Sequence, residues 1–378
     1  MAVEREIALL RDRRHEVVEY RLDNRAIGEM GVISAGLQSL WSREAEQKVE
    51  RLVREHRPQV MHVHNSFPLA SPAVFWAAKR ARVATFQTLH NFRLLCPQAM
   101  LVREGKMCED CLGRFPLPGV VRGCYRGSRP QTAAAPATVS LHRAIGTYWH
   151  KVDRYVALNE FCRRKFIEGG LPSRKIMIKP NFAPLGAAHA DDQRQGALFV
   201  GHLYPEKGHR RLGACTRGRA VASTRSDRRG PGNKPFGASS RSRAGWQAAD
   251  VVGAAMRRAS CLVLPSLWYE NFPMVVIEAF ASGLPVVASR IGGLAEVIEE
   301  GVTGLLFEPG NAAELVQRLR WIEANPESAR LMGARARQTY EHRYTAAKNY
   351  ERLMQIYTAA CEENERPSRQ VREPAYEV

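Results

Sequence analysis

The sequence has no run approaching the roughly 20 consecutive apolar residues that a membrane-spanning helix needs. It has no internal repeat at a solenoid period, and its opening stretch, MAVEREIALLRDRR, is charged and amphipathic rather than a leader of apolar type. These absences exclude a helical membrane protein and a repeat array, and lead to the expectation of a cytoplasmic chain whose eight cysteines are reduced thiols. Acidic residues are scarce as well, 38 Asp and Glu against 56 Lys and Arg, for a net charge of +18. The imbalance is local. From His209 to Gly245 nine Arg and one Lys face the single acid Asp227, so half of the excess sits in about a tenth of the chain. That stretch has no interleaved aromatic platform beyond Phe236, which argues against nucleic acid as a partner.

What is present is a length of 378 residues, enough for two cores, with 45% hydrophobic and 25% charged residues. RPQVMHVHN, VATFQTLHN, VDRYVALNE and IMIKPNF read as short apolar strands. FPLASPAVFWAAKRA and FCRRKFIEGGL, between them, read as helices. Near-continuous apolar strands alternating with helices predict a parallel sheet covered on both faces. Ligands of such sheets lie beyond the carboxyl ends of the strands, so the ends at His64-Asn65 and His90-Asn91 are expected to face a cleft. Residues 184–196, polar and rich in small side chains, read as a linker. A second series follows: ALFVGHL, ASCLVLPSL, LPVVASR and TGLLFEPG as strands, NFPMVVIEAFASG as a helix capped by Asn271, LAEVIEEG opened by Gly292-Gly293, and AAELVQRLRWIEAN capped by Asn311. A last helix spans 345–364, and 365–378 reads as a disordered tail.

The segment WYENFPMVVIEAFASGLPVVAS carries the sharpest chemistry. Glu270 precedes the helix and Glu278 lies on it, eight residues later. Free N–H groups near Phe272, Pro273 and Met274 at the helix start suit a phosphate or a sugar hydroxyl. Glu278, two turns in, suits the vicinal hydroxyls of a ribose. Taken alone, two glutamates at a helix start are ordinary solvated charges; the flanking proline, the apolar strand before and the small-residue turn after favour a site.

This segment resembles the E-x7-E region of family 4 retaining glycosyltransferases. VGHLYPEKG is similar to the family's G-R-L…E-K-G, and the Gly292-Gly293 turn with Glu296, GVTGLLFEPGN, KPNF, and the strand ends at His64 and His90 also match. The resemblance implies an α/β fold of GT-B type, two Rossmann-like domains (1–183 and 197–344) facing across a cleft, with the last helix returning to the N-domain. It implies sugar transfer from a nucleotide-sugar donor to an unknown glycan, polysaccharide-precursor or lipid-linked acceptor, with retention of configuration and no metal needed for catalysis. Glu270 and His90 would act at the transferred sugar, and Glu278 at the ribose. Asn271 to Met274 would line the donor site, and Lys207 would neutralise the diphosphate. His202 replaces the family's usual arginine there, and an imidazole is a poorer diphosphate partner than a bidentate guanidinium.

Two departures from the family pattern stand out. The family opens with a strand and a glycine-rich turn, whereas VEREIALLRDRRHEVVEYRL resembles the helix and strand that follow them. After E-K-G, residues 209–245 show no apolar period where a helix, a strand and a glycine turn are expected. Arg-, Gly-, Ser- and Pro-rich text of this kind is what a GC-rich gene yields when read out of frame. The second reading is therefore an inactive or binding-only remnant of such an enzyme.

Cys96, the C-x2-C pair Cys108 and Cys111, and Cys124 lie in a loop-rich stretch. They form a candidate four-cysteine structural zinc site, with a set of ordinary reduced thiols as the alternative. Basic and aromatic residues nearby, in HRAIGTYWHKVDR, suit peripheral contact with the inner face of a membrane or a merely solvated surface.

Overall fold

The computed structural model describes residues 2–23, 27, 30–184, 194–201, 222–223 and 249–365. Helices α1 (Ala2–Asp12), α2 (Val32–Leu40) and α3 (Arg43–His56) lead into strand β1 (Val60–Val63). Then follow α4 (Ala73–Arg80), β2 (Ala84–Thr88), the two-residue strands β3 (Val102–Arg103) and β4 (Lys106–Met107), α5 (Leu117–Val121), α6 (Arg129–Ala144), β5 (Arg154–Ala157), α7 (Glu160–Glu168) and β6 (Ile176–Ile178). β1, β2, β5 and β6 form one parallel sheet in that order. Asn159 caps α7 by accepting from the Cys162 amide at 2.7 Å, and Gly169 closes it.

All five residues of β2 are buried, whereas all four of β1 are half-buried. β1 is the edge of the sheet among the described residues. The strand expected after α1 is not formed: Glu16–Leu22 takes no regular structure. A strand exists only with a ladder partner, and none of the described strands pairs with this stretch.

The second half contains β7 (Ala197–Val200), β8 (Ala222–Ser223), α8 (Ala249–Arg258), β9 (Cys261–Leu264), α9 (Met274–Ala281), β10 (Val286–Ser289), α10 (Gly292–Val297) and β11 (Gly304–Phe307). Its sheet is again parallel, in the order β11-β10-β9-β7-β8. Alternation along the strands sends Leu262, Leu264, Val286 and Ala288 toward Val276, Ile277 and Phe280 of α9. It sends Cys261, Val263, Val287 and Leu305 to the other face. There they meet Leu315, Leu319 and Ile322 of α11 (Ala312–Ala324), which Asn311 caps through the Glu314 amide. Both faces are dry, as the unbroken apolar strands required.

Three expectations are corrected here. Asn271 does not cap the helix: α9 begins at Met274 with Pro273 as its N-cap residue, because the asparagine side chain is engaged elsewhere, as described below. Of the stretch read as a linker over 184–196, residues 185–193 lie outside the described residues, and its end from Arg194 is tied to the second half. The Arg194 guanidinium donates to the carbonyls of Gly283 and Ser282 at 2.7 and 2.8 Å, and the Gln195 amide donates to Arg258. Within the patternless stretch 209–245, Ala222–Ser223 does form a short strand, paired with Phe199 and Val200. The edge of β7 offers unpaired backbone groups that any extended dipeptide can satisfy. The rest of 209–245 lies outside the described residues.

α12 (Pro326–Arg343) and α13 (Ala346–Glu365) complete the chain. α13 returns to the first half, as anticipated: Leu353, Ile356, Tyr357 and Ala360 pack on Ala84 and Phe86 of β2. It runs through Glu365, one residue into the stretch read as a tail; 366–378 lie outside the described residues. Among the described residues no helix is long and apolar enough to cross a membrane.

Candidate functional site

In the second sheet, the chain runs one way from β7 to β8 and the other way from β9 to β11, so the strand order reverses between β7 and β9. A doubly wound sheet opens its ligand crevice at that reversal, beyond the carboxyl ends of the strands. The loop after β9 carries Glu270. Its carboxylate accepts from the Ser266 hydroxyl at 2.8 Å and the Trp268 indole N–H at 3.1 Å, two groups of the same loop. The segment after β7 carries His202 and Lys207, the expected diphosphate ligands, and both lie outside the described residues.

α9 starts immediately after this loop. Pro273 has no N–H to offer, so the donors at this helix start are the amides of Phe272, Met274 and Val275. The Phe272 ring is buried and packs 6.0 Å from Tyr344; only its backbone remains for a ligand. Glu278, on the second turn, is about a third exposed and receives the Arg5 guanidinium at 2.9 Å. Nothing in the spacing of the motif signalled this partner, which arrives from α1, 273 residues away.

The first sheet presents its carboxyl ends to the same region. His64 follows β1, His90 follows β2, and their rings meet with Nδ1 of His64 2.9 Å from Nε2 of His90. Behind them is a buried charge cluster that the sequence reading missed. Glu6 of α1 is 6% exposed and accepts from the Lys179 amine at 2.7 Å. Its other oxygen lies 3.4 Å from His62 and 3.5 Å from His64. His62 also bonds the hydroxyls of Tyr357 and Thr88, at 2.6 and 2.7 Å. The available signal was H-x-H in VMHVHN, two imidazoles on one face of a strand, but their acid partner lies in α1, far off in the sequence.

Burial fixes the protonation of this cluster. It pushes His62 down to about 4, His64 to about 3 and His90 to about 4. Burial alone would raise Glu6, but Lys179 and the neighbouring histidines reverse that and hold it at about 2. At neutral pH the cluster is therefore one carboxylate, one lysine and three neutral imidazoles. Glu6, His62 and His64 are near enough to hold a cation, with ligand atoms within 4.8 Å of one another. Lys179 already supplies the positive charge at that carboxylate, which disfavours a second cation there.

The two halves meet at Asn271. Its amide nitrogen donates to the Leu89 carbonyl at 3.3 Å, its side-chain oxygen accepts from the Cys162 thiol at 3.3 Å, and its own carbonyl accepts from Asn159 at 2.5 Å. The Glu270 loop is thereby held beside His90. Gly293 makes the approach possible, since a Cβ there would stand 2.5 Å from the Asn159 amide nitrogen and 2.9 Å from the Glu270 carbonyl. Glu296 completes the junction: its carboxylate accepts from the Glu160 and Phe161 amides at 2.8 and 2.7 Å. An acid of the second half thus caps a helix of the first.

A cavity lined by His64, Phe67, His90, Asn91, Arg93 and Tyr148, among others, opens beside the histidine pair. A broader depression around Leu37, Trp41 and Arg43 contains none of the candidate residues. The four cysteines singled out from the sequence do converge: all of them line one small hollow.

Two families match. The family described as Glycosyl transferase 4-like domain covers residues 2–181, and that described as Glycosyl transferases group 1 covers residues 244–339. All but the last two residues of the stretch without apolar period, 209–245, fall between the two matches. The chain is 39% identical over 95 residues to a sulfoquinovosyl transferase of Arabidopsis thaliana, covering 24% of this chain and 18% of that one. It is 36% identical over 107 residues to a glycogen synthase of Mycobacterium tuberculosis, covering 28% and 26%. It thus spans about a quarter or less of these curated relatives' length. Among solved structures, the Anabaena protein HepE in complex with UDP is similar at a TM-score of 0.60 and 16% identity, over 83% of this chain and 82% of that one. Sucrose-phosphate synthase from Thermosynechococcus elongatus is similar at 0.61 and 17%, over 84% and 77%. At such identities the likeness establishes the fold, two facing α/β domains of GT-B type.

Proposed function

We propose, on the premise of a GT-B fold matched in each half by a glycosyltransferase family, that this protein transfers a sugar from a nucleotide-sugar donor to an acceptor hydroxyl with retention of anomeric configuration. The observation that carries the proposal is the junction at Asn271, which sets the Glu270 loop of one sheet against the Leu89-His90 turn of the other. The solved complexes of HepE with UDP and UDP-glucose support a nucleotide-sugar donor.

In this reading the C1–O bond to the diphosphate breaks while an acceptor oxygen bonds C1 on the same face. The acceptor proton passes to the departing phosphate oxygen. Charge builds on that oxygen, and the amides and partial positive charge at the start of α9, together with Lys207 and His202, stabilise it. Glu270 accepts hydrogen bonds from hydroxyls of the transferred sugar. Glu278 takes the ribose once Arg5 gives way. His90, neutral at pH 7, meets the sugar as a hydrogen-bonding group that adds no charge to the carbon being attacked. A lipid-linked acceptor, reached by peripheral contact with a membrane face, fits the exposed Leu141, Ile145 and Trp149 beside Lys151.

The test is a panel of nucleotides and nucleotide sugars, scored by thermal shift and by mass spectrometry of transfer and hydrolysis products. A rise in melting temperature with one nucleotide class, and product that disappears in Glu270→Ala, support the proposal. No shift and no product with any donor would overturn it. The Arg5–Glu278 pair favours a second reading, a binding-only relative whose ribose site is engaged by its own chain. Donor binding without turnover, in both the natural sequence and Arg5→Ala, would select that reading.

A further inference from the structure

We propose that Cys96, Cys108, Cys111 and Cys124 bind one zinc ion as four thiolates, and that this ion fixes the loop that walls the histidine cavity. The four residues come from separate pieces of a poorly packed segment. Cys96 ends the turn after β2, where its amide donates to Phe92; Cys108 follows β4; Cys111 lies one turn further; and Cys124 follows α5, its amide donating to Gly119. All four nonetheless line a single hollow, and all four are free thiols.

The regular structure between Cys96 and Cys124 amounts to two two-residue strands and a five-residue helix. Leu101 and Val102 anchor the start of the segment in the core, whereas Met107, Phe115, Leu117 and Val121 further along are about half exposed, so apolar burial holds its second part only weakly. A structural ion supplies folding free energy where a core does not. Gly119 brings its backbone close to the sulfur side of the hollow: a Cβ there would stand 2.9 Å from the Pro97 ring and 3.3 Å from the Cys111 sulfur. Four thiolates on Zn2+ carry a net charge of about −2, and Arg103 and Arg122 line the same hollow.

No three of the four sulfurs lie within 4.8 Å of one another. Tetrahedral ligation at about 2.3 Å per bond sets sulfurs about 3.8 Å apart, so binding requires the four side chains to turn into the hollow they line. Binding releases four thiol protons and forms four Zn–S bonds. With no ligand position left open, the ion is structural. Its mechanical effect reaches the cavity through Arg93. That guanidinium donates to the Pro97 carbonyl, one residue from Cys96, and lies over the rings of Tyr125 at 4.9 Å and Phe67 at 5.1 Å. Tyr125 adjoins Cys124, so two ligands flank the residues that hold Arg93 in the wall beside His64 and His90.

The test is elemental analysis of the full chain, produced with zinc supplied and purified under reducing conditions. The expectation is about one zinc per chain, lost in the Cys108→Ser/Cys111→Ser double variant and kept in a Cys261→Ser control. A misfolded double variant would also lose zinc, so the natural sequence is also exchanged into cobalt(II). Four thiolates give a sulfur-to-cobalt charge-transfer band and the intense red absorption of a tetrahedral site, and four thiols become reactive only after chelation. Zinc below about a tenth per chain with no charge-transfer band would overturn the proposal, as would zinc fully retained by the double variant.

Discussion

The side-chain amide of Asn271 donates to the main-chain carbonyl of Leu89 at 3.3 Å, across the boundary between the two sheets. The same side chain takes the Cys162 thiol, so one residue joins the loop after β9, the turn after β2 and helix α7. Asn271→Ala leaves a part-buried carbonyl and a thiol without these partners and is expected to cost about 1–3 kcal/mol. Urea denaturation measures that loss, and the transfer rate should fall with it because the Glu270 loop loses its tie to His90.

Glu270→Ala is expected to lower turnover by about 10- to 100-fold, the worth of a charge-assisted hydrogen bond held in the transition state. Melting temperature should change little, since Ser266 and Trp268, from which the carboxylate accepts, belong to its own loop. Steady-state kinetics with the donor identified by thermal shift decide the point. An unchanged rate would remove Glu270 from the site.

Arg5→Ala releases Glu278. If Glu278 takes the ribose, binding of the donor nucleotide should tighten by about twofold to fivefold, the factor withheld by a partly exposed ion pair worth up to ~1 kcal/mol. Titration calorimetry of the two proteins against the same nucleotide reads this directly. Weaker binding would mean that Arg5 serves the donor instead of competing with it.

Stability should fall on acidification, beginning well above the carboxylate range. The folded-state pKa values of His62, His64 and His90, at about 4, 3 and 4, lie below the ordinary histidine value near 6.5. Between about 6.5 and 4 the unfolded chain therefore binds protons that the folded chain refuses, and stability rises with pH. Glu6, held at about 2, acts in the same direction over the more acidic window from about 4.3 down to 2. Denaturation midpoints measured from pH 7 to 4.5 should decline, and decline less steeply in His62→Gln. A flat profile would mean that the cluster is hydrated.

Gly293→Ala places a methyl group against the Asn159 amide nitrogen and the Glu270 carbonyl. The overpacking should cost about 1–3 kcal/mol and shift the Glu270 loop, lowering turnover along with melting temperature.

The alternation of apolar strands with amphipathic helices identified eight of the strands, because the inner strands of a parallel sheet are covered on both faces and their apolar pattern is unbroken. β3, β4 and β8 carried no such signal: each is two residues long and pairs only with a neighbour at hand. The Glu270 loop was legible because its chemistry is contiguous. Glu6 and Lys179 were not, being separated by 173 residues, and an acid in an amphipathic helix looks the same in sequence whether it meets water or a lysine. Asn271 misled for a related reason. Asparagine before a helix is most often its cap, and here packing between domains claimed the side chain first.

Glu296 caps a helix that belongs to the other half of the molecule, and this constrains how the molecule can gape. Any motion that pulls α10 from α7 leaves two amides without their acceptor, whereas a rotation about that contact leaves both bonds intact.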